Sequence, residues 1–205
     1  MTESKTSPWH LTQPFILASA SPQRLRLLEQ AGFKPSRIET ADIDESVQKN
    51  ELPARYVERI AIQKAQAVAT KNAGVCVLAA DTVIAVGKRI IRKAQNEEQA
   101  RQNLKLISGR RHRVITGFCI ILPNGHQIAK VVQTAVITKH FDETDIAVIL
   151  ASGEWKNVAG YRIEGVLSAC VRKIIGSFPN IVGLPIFEVA QVLKGALRTH
   201  EDSAE

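Results

Sequence analysis

Aromatic residues make up only 5% of the chain and do not alternate with its lysines and arginines, so the stacking platforms that hold single-stranded nucleic acids are missing. Cysteine is equally scarce. Cys76, Cys119 and Cys170 are odd in number, far apart and set among apolar neighbours, which fits reduced core thiols and argues against a disulfide or zinc framework. No run approaches the roughly 18 apolar residues of a membrane span. The apolar stretch before Leu17-Ala-Ser-Ala is too short for a signal-peptide core, so a cytoplasmic protein without membrane contact is expected. Absent too are a Walker loop, a Gly-x-Gly-x-x-Gly turn, a Gly-x-Ser-x-Gly elbow and any Cys/His metal spacing.

What remains is an ordinary soluble composition, 45% hydrophobic and 23% charged over 205 residues, enough for one sizeable core, whether or not it is pinched into two lobes. The formal charge of +7 favours an acidic partner: a nucleotide, a nucleic acid or an anionic surface. The shortage of aromatics makes nucleic acid the weaker of these readings.

The strongest local signal is Phe15-Ile-Leu-Ala-Ser-Ala-Ser-Pro-Gln-Arg24, a buried strand turning through small residues into a helix. Ser21 suits the N-cap and Pro22 the first helical position, where its missing N–H costs nothing. Such an N-terminus offers free backbone N–H groups and the positive end of the helix dipole, and Arg24 and Arg26 add charge, so an anion, above all phosphate, is favoured there. The same pattern is also common punctuation in α/β proteins.

Further helices are expected from Pro53 to about Asn72, from Asn96 to Ile107, from a Thr144 cap to Ser152, and over 186–197. Strands are expected over 38–41, 75–87 (two, or one bent), 88–93 as a charged edge, 114–122, 128–138 and 166–174, with 176–185 a loop. Residues 1–14 read as a loose extension, 15–197 as one domain and 198–205 as a polar tail.

Three polar interruptions carry the candidate chemistry. Lys64 breaks the apolar stripe of the long helix, either snorkelling to solvent or aimed into a cleft. Asp81-Thr82 interrupts an otherwise apolar run. A buried carboxylate needs a partner, so Asp81 is either a turn cap or a functional carboxylate at the carboxyl end of a strand, where open α/β sheets place ligands. The cluster Asp42-Ile-Asp44-Glu45 lacks the strong strand that an aspartyl-phosphate site requires; it is a solvated loop or a carboxylate that reaches a divalent cation beside phosphates. His112, in a basic run, is a phosphate contact or a solvated loop residue.

These stretches, in this order, resemble the Maf family of nucleotide pyrophosphatases over roughly residues 15–197. The resemblance rests on Leu17-Ala-Ser-Ala-Ser-Pro-Gln-Arg24, Asp44-Glu45, Arg59-x4-Lys64-Ala65, Ala80-Asp81-Thr82-Val83 and Lys93. It continues through Ser108-Gly-x-x-His112-x-Val-x-Thr-Gly117, Ala159-Gly-Tyr-x-Ile-x-Gly165 and Gly176-Ser-x-x-Asn-x-Val-Gly-Leu-Pro185. It implies a mixed α/β sheet with flanking helices and two lobes around a cleft, similar to inosine triphosphate pyrophosphatases, in a family where homodimers are common. The implied reaction hydrolyses a nucleoside triphosphate, or a modified one, to the monophosphate and pyrophosphate with Mg²⁺ or Mn²⁺. Asp81 then matches the proton acceptor, Ser21, Arg24, Lys64 and Lys93 the phosphate contacts, and Glu45 the metal end. Relatives acting on dTTP and UTP usually carry Arg, Thr and Gln where this chain has Gln23, Thr82 and Glu164; those acting on 7-methyl-GTP carry a bulky residue, Gln and Glu. The three positions therefore point in different directions on the base. The other reading the family suggests is a nucleotide-binding regulatory protein that acts through a partner, for instance in cell division.

Overall fold

The computed structural model describes residues 9, 11, 13–156, 158 and 160–197. The carboxy-terminal tail, Ala159 and most of the amino-terminal extension lie outside the described residues. Within that extension Trp9 is described, and it stacks on Phe33 at 6.0 Å between ring centroids.

In chain order the elements are β1 (Phe15–Leu17), α1 (Pro22–Gln30), β2 (Arg37–Ile38), α2 (Pro53–Ala69), β3 (Cys76–Val86), β4 (Arg89–Ile91), α3 (Glu97–Ile107), β5 (Arg111–Ile121), β6 (Gln127–Thr138), α4 (Glu143–Ala151), β7 (Val171–Ile175), α5 (Phe178–Val182) and α6 (Ile186–Leu197). The strands form one mixed sheet in the order β2-β1-β3-β5-β6-β7, with β4 also on β3. β1 runs parallel to β2 and β3, and the other pairings are antiparallel.

Alternation along β3 divides the core. Cys76, Leu78 and Ala80 pack with Leu28 of α1 and Leu193 of α6 on one face, while Val77 and Ala79 pack with Ala61, Ala65 and Val68 of α2 on the other. Successive strand residues point to opposite faces, so each partner helix needs only every second position to be apolar. Ile84 turns toward a second lobe built around α3 and α4. The α2 residues Val57, Ile60 and Ala61 are completely buried; burial of an Ile or Val side chain is worth about 1.5–3 kcal/mol, which fixes α2 on the sheet. α2 comes so close that a Cβ on Gly117 of β5 would lie 2.4 Å from the Val57 carbonyl oxygen.

Three expectations need correction, and one alternative is decided. Of two strands or one over 75–87, residues 76–86 form one, because Asp81 and Thr82 keep their ladder pairing with Gly117 and Thr116. α4 is capped by Asp142 rather than Thr144: Asp142 accepts from the Asp145 N–H at 2.8 Å and Asp145 accepts from the Asp142 N–H at 3.0 Å, a reciprocal box that Thr144, already inside the first helical turn, cannot make. The expected strand over 166–174 begins as a 3₁₀ turn (Val166–Cys170), since Glu154 accepts the Val166 N–H and β6 has partners only from Val171 onward. The loop over 176–185 contains α5, started by Ser177 accepting from the Asn180 N–H.

Candidate active site

β1 and β4 pair with the same edge of β3 but at different places, β1 against Cys76–Leu78 and β4 against Ile84–Val86. Among the described residues no strand covers Ala79 to Val83 on that edge. A cleft of about 970 Å³ opens along this gap, bounded by the β1–α1 turn on one side and by Arg92, Lys93 and the segment Tyr161–Glu164 on the other. Asp81 stands in its middle. The expectation that Asp81 would end a strand is thus replaced by a mid-strand carboxylate bared by two neighbours that stop short; it is β1 whose carboxyl end points into the cleft.

Asp81 shares the α2-facing parity of β3, and the residue it meets there is Lys64. The Lys64 ammonium donates to Asp81 Oδ1 at 2.9 Å and lies 2.9 Å from Glu45 Oε1. The lysine is aimed into the cleft rather than out to solvent, its side chain only 12% exposed, and Asp81 is 11% exposed. Each charge compensates the other, which is the condition for keeping either in so dry a place.

Glu45 is held by its surroundings. Its carbonyl accepts from the Tyr56 hydroxyl at 3.0 Å, and Arg59 ties the following loop down through the Ser46 carbonyl at 2.9 Å and both Glu51 oxygens at 2.7 Å. Arg59 holds the Glu51 carboxyl below its ordinary pKa. Burial, with Asp81 and Glu45 nearby, pushes the Tyr56 phenol up to about 12, so it remains a donor. The remaining acidic residues stay on the solvated loop; Asp44 bonds locally to Ser46.

Across the cleft, Ser21 begins α1 without a side-chain cap, its hydroxyl turned to Gln23 Oε1 at 3.4 Å. The first-turn N–H groups of α1 therefore lack that internal partner. Arg24 donates from Nε to the Gly183 carbonyl (2.8 Å), from Nη1 to Ser19 Oγ (3.0 Å) and from Nη2 to Thr82 Oγ1 (3.2 Å). Burial lowers the pKa of its guanidinium, and Asp81 and Glu45 counter that. Lys93 lies in the segment after β4 and, like Glu164, is exposed on the opposite wall.

His112 answers neither expectation: it is 1% exposed, and its Nε2 lies 2.6 Å from the Tyr161 hydroxyl. Ser19, Thr116 and Asn180 are site-building residues that sequence reasoning missed. All three stood inside motifs, but nothing in spacing alone reveals a buried partner.

Five cationic side chains (Arg24, Lys64, Arg92, Lys93 and Arg162) and three carboxylates (Glu45, Asp81 and Glu164) line a nucleotide-sized cleft between two lobes, a class of α/β protein equipped for an anionic ligand. The chain belongs to the Maf-like protein family, whose model matches residues 14–196. It is 49% identical over 181 residues to a protein of Paramagnetospirillum magneticum named dTTP/UTP pyrophosphatase, covering 88% of this chain and 95% of that one. A protein of the same name from Caulobacter vibrioides is 44% identical over 181 residues, covering 88% and 94%. Among solved structures, a HAM1 protein from Coxiella burnetii shares the fold with a TM-score of 0.50 at 14% identity, over 90% of this chain and 100% of that one.

Proposed function

We propose that the chain is a nucleoside triphosphate pyrophosphatase that releases pyrophosphate and a nucleoside monophosphate, with uracil or thymine nucleotides among its substrates. The observation that carries this reading is the Asp81–Lys64–Glu45 cluster at the centre of the gap in β3, facing Arg24 and the start of α1. The names of relatives at 44–49% identity support it and favour the pyrimidine bases.

In this reading Asp81 takes a proton from water as the water oxygen bonds to the α-phosphorus. The bond from that phosphorus to the bridging oxygen breaks, and pyrophosphate leaves with the electron pair. Arg24, Lys64, Lys93, Ser21 and the α1 N–H groups bind the phosphates and offset their charge, since phosphoryl transfer is catalysed mainly by positioning and charge stabilisation. Glu45 and Asp81 are hard oxygen donors that already converge on one cation, the Lys64 ammonium. Mg²⁺ or Mn²⁺ is commonly held by one or two carboxylates plus substrate phosphates, and Glu45 and Asp81 are the residues that would hold it here. Such an ion would supply further neutralisation of phosphate charge. Gln23, Thr82 and Glu164 are the residues proposed to set the choice of base.

The cytoplasmic reading is supported by the three free, buried thiols. A homodimer belongs to the same proposal and is checked by light scattering. The decisive assay measures pyrophosphate release over a panel of normal and modified triphosphates with Mg²⁺ and Mn²⁺. Wild type should turn over at least one of them, and Asp81→Asn should lose about 10²–10⁴-fold. Equal background rates for both proteins across the panel would end the enzymatic reading.

A further inference from the structure

Asn180 of α5 is completely buried, and its side chain is used unevenly. The amide nitrogen donates to the Val114 carbonyl at 3.2 Å and to Thr134 Oγ1 at 3.0 Å, whereas Oδ1 has no hydrogen-bond partner. A buried acceptor left unpaired costs about 1–3 kcal/mol, so packing alone does not favour asparagine here. What the side chain does is pin α5 to β5 and β6, and the backbone it pins reaches the cleft.

Two carbonyls of that segment hold side chains around the site, and only Gly183 lines the cleft itself. The Asn180 carbonyl accepts from Thr116 Oγ1 at 3.3 Å, and the Gly183 carbonyl accepts from Arg24 Nε at 2.8 Å and from Thr82 Oγ1 at 3.3 Å. Thr116 and Thr82 are cross-strand partners with their hydroxyl oxygens 2.9 Å apart. Each hydroxyl carries one proton: Thr116 gives its own to the Asn180 carbonyl or to Thr82 Oγ1, and Thr82 gives its own to the Gly183 carbonyl or to Thr116 Oγ1. Whichever way the two hydroxyls turn, Thr82 Oγ1 keeps a lone pair for Arg24 Nη2.

The guanidinium has five N–H groups, and three are committed to Gly183, Ser19 and Thr82. The remaining two sit one on each terminal nitrogen of a side chain that lines the cleft. A planar cation held at three points keeps its last two donors in fixed directions, which suits a phosphate rich in acceptor oxygens. We infer that Thr116 and Asn180, which are buried away from the ligand, are positioning residues: their hydroxyl and backbone relay through Thr82 and Gly183 fixes Arg24 to receive a substrate phosphate. This rests on the pyrophosphatase reading for the ligand, though not for the relay itself.

The test uses the full chain labelled with ¹⁵N at arginine and compares wild type, Thr116→Val and Thr116→Ser. Valine is close to isosteric and lacks the hydroxyl; serine restores it. Thr116→Ala replaces the valine variant should that fail to fold, as judged by circular dichroism. The Arg24 Nε–H signal, assigned by its absence in Arg24→Lys, should exchange at least about tenfold faster in Thr116→Val and return to the wild-type rate in Thr116→Ser. The dissociation constant for α,β-methylene-UTP should rise about tenfold and recover in the same pattern, a change of about 1.4 kcal/mol. Wild-type exchange and affinity in a folded Thr116→Val overturn the inference, as does a change in one without the other. If wild type binds no triphosphate analogue, the functional reading fails while the exchange data still decide whether the relay holds Arg24.

Discussion

The imidazole of His112 on β5 and the hydroxyl of Tyr161 on the cleft wall are 2.6 Å apart, their rings edge to face and both side chains buried. Burial pushes the Tyr161 phenol far up, so at neutral pH it donates and Nε2 accepts. The proton then resides on Nδ1, which faces the Arg110 backbone without a fully formed hydrogen bond.

Burial pulls the His112 pKa down to about 4 from an ordinary 6.5, and the Arg110 backbone opposes this only in part. The unfolded chain therefore binds more protons between these values, and stability is complete above pH 6.5 and is lost as the pH falls toward 4. The loss is on the order of 3 kcal/mol. Urea unfolding of wild type and His112→Gln across pH 7.5 to 4.5 should show a steeper decline in wild type. Parallel declines would falsify this assignment.

Lys64 separates stability from activity. Its partner Asp81 is deeply buried, so Lys64→Met strands a carboxylate and should cost about 3–5 kcal/mol, part of which Lys64→Met/Asp81→Asn recovers. Glu45 is half exposed, and Glu45→Gln should change stability by less than about 1 kcal/mol while still lowering pyrophosphate release. Melting curves beside activity assays check both halves; a Glu45→Gln protein that is fully active contradicts the role given to that carboxylate.

Gly117 is required by proximity rather than by backbone angle. A methyl group there would press on the Val57 carbonyl and force α2, with Lys64, off the sheet. Gly117→Ala should destabilise by about 1–3 kcal/mol. Activity should fall further than the folded fraction does, which requires measuring both in the same sample.

Glu164 on the cleft wall can only accept hydrogen bonds when ionised, whereas glutamine also donates. The segment that carries it is anchored at both ends, by Tyr161 on His112 and by Glu154 on the Val166 N–H. Glu164→Gln should shift kcat/KM for UTP and dTTP upward relative to guanine triphosphates, by roughly tenfold for one exchanged hydrogen bond. An unchanged ratio over the same panel would remove Glu164 from base selection.

Much was legible in the chain itself. The periodicity of α2, the strand, turn and helix around Ser21 and Pro22, the hairpin at Pro123-Asn-Gly125 and the ordered motifs fixed the fold class and drew out Asp81, Lys64, Arg24 and Glu45 as chemistry-bearing residues. The elements and the oddity of a buried Asp81 depend on local spacing, backbone preference and the cost of burying charge, which sequence expresses directly; spacing alone left Lys64 and Glu45 open, and their candidate roles came from the resemblance in motif order. Capping of α4, the 3₁₀ turn at Val166 and the site of His112 were misread because each is settled by a partner distant in the chain or by competition among adjacent caps.

Sequence determined that the apolar stripe of α2 is broken at Lys64 and that the apolar run of β3 is broken at Asp81-Thr82, with Asp81 its one charge. Only the tertiary structure decided that the two breaks meet, because their pairing depends on how α2 lies across the sheet, set in part by the missing side chain of Gly117. It alone showed Asp81 in mid-strand, since the gap between β1 and β4 exists only once both have taken their places on one edge.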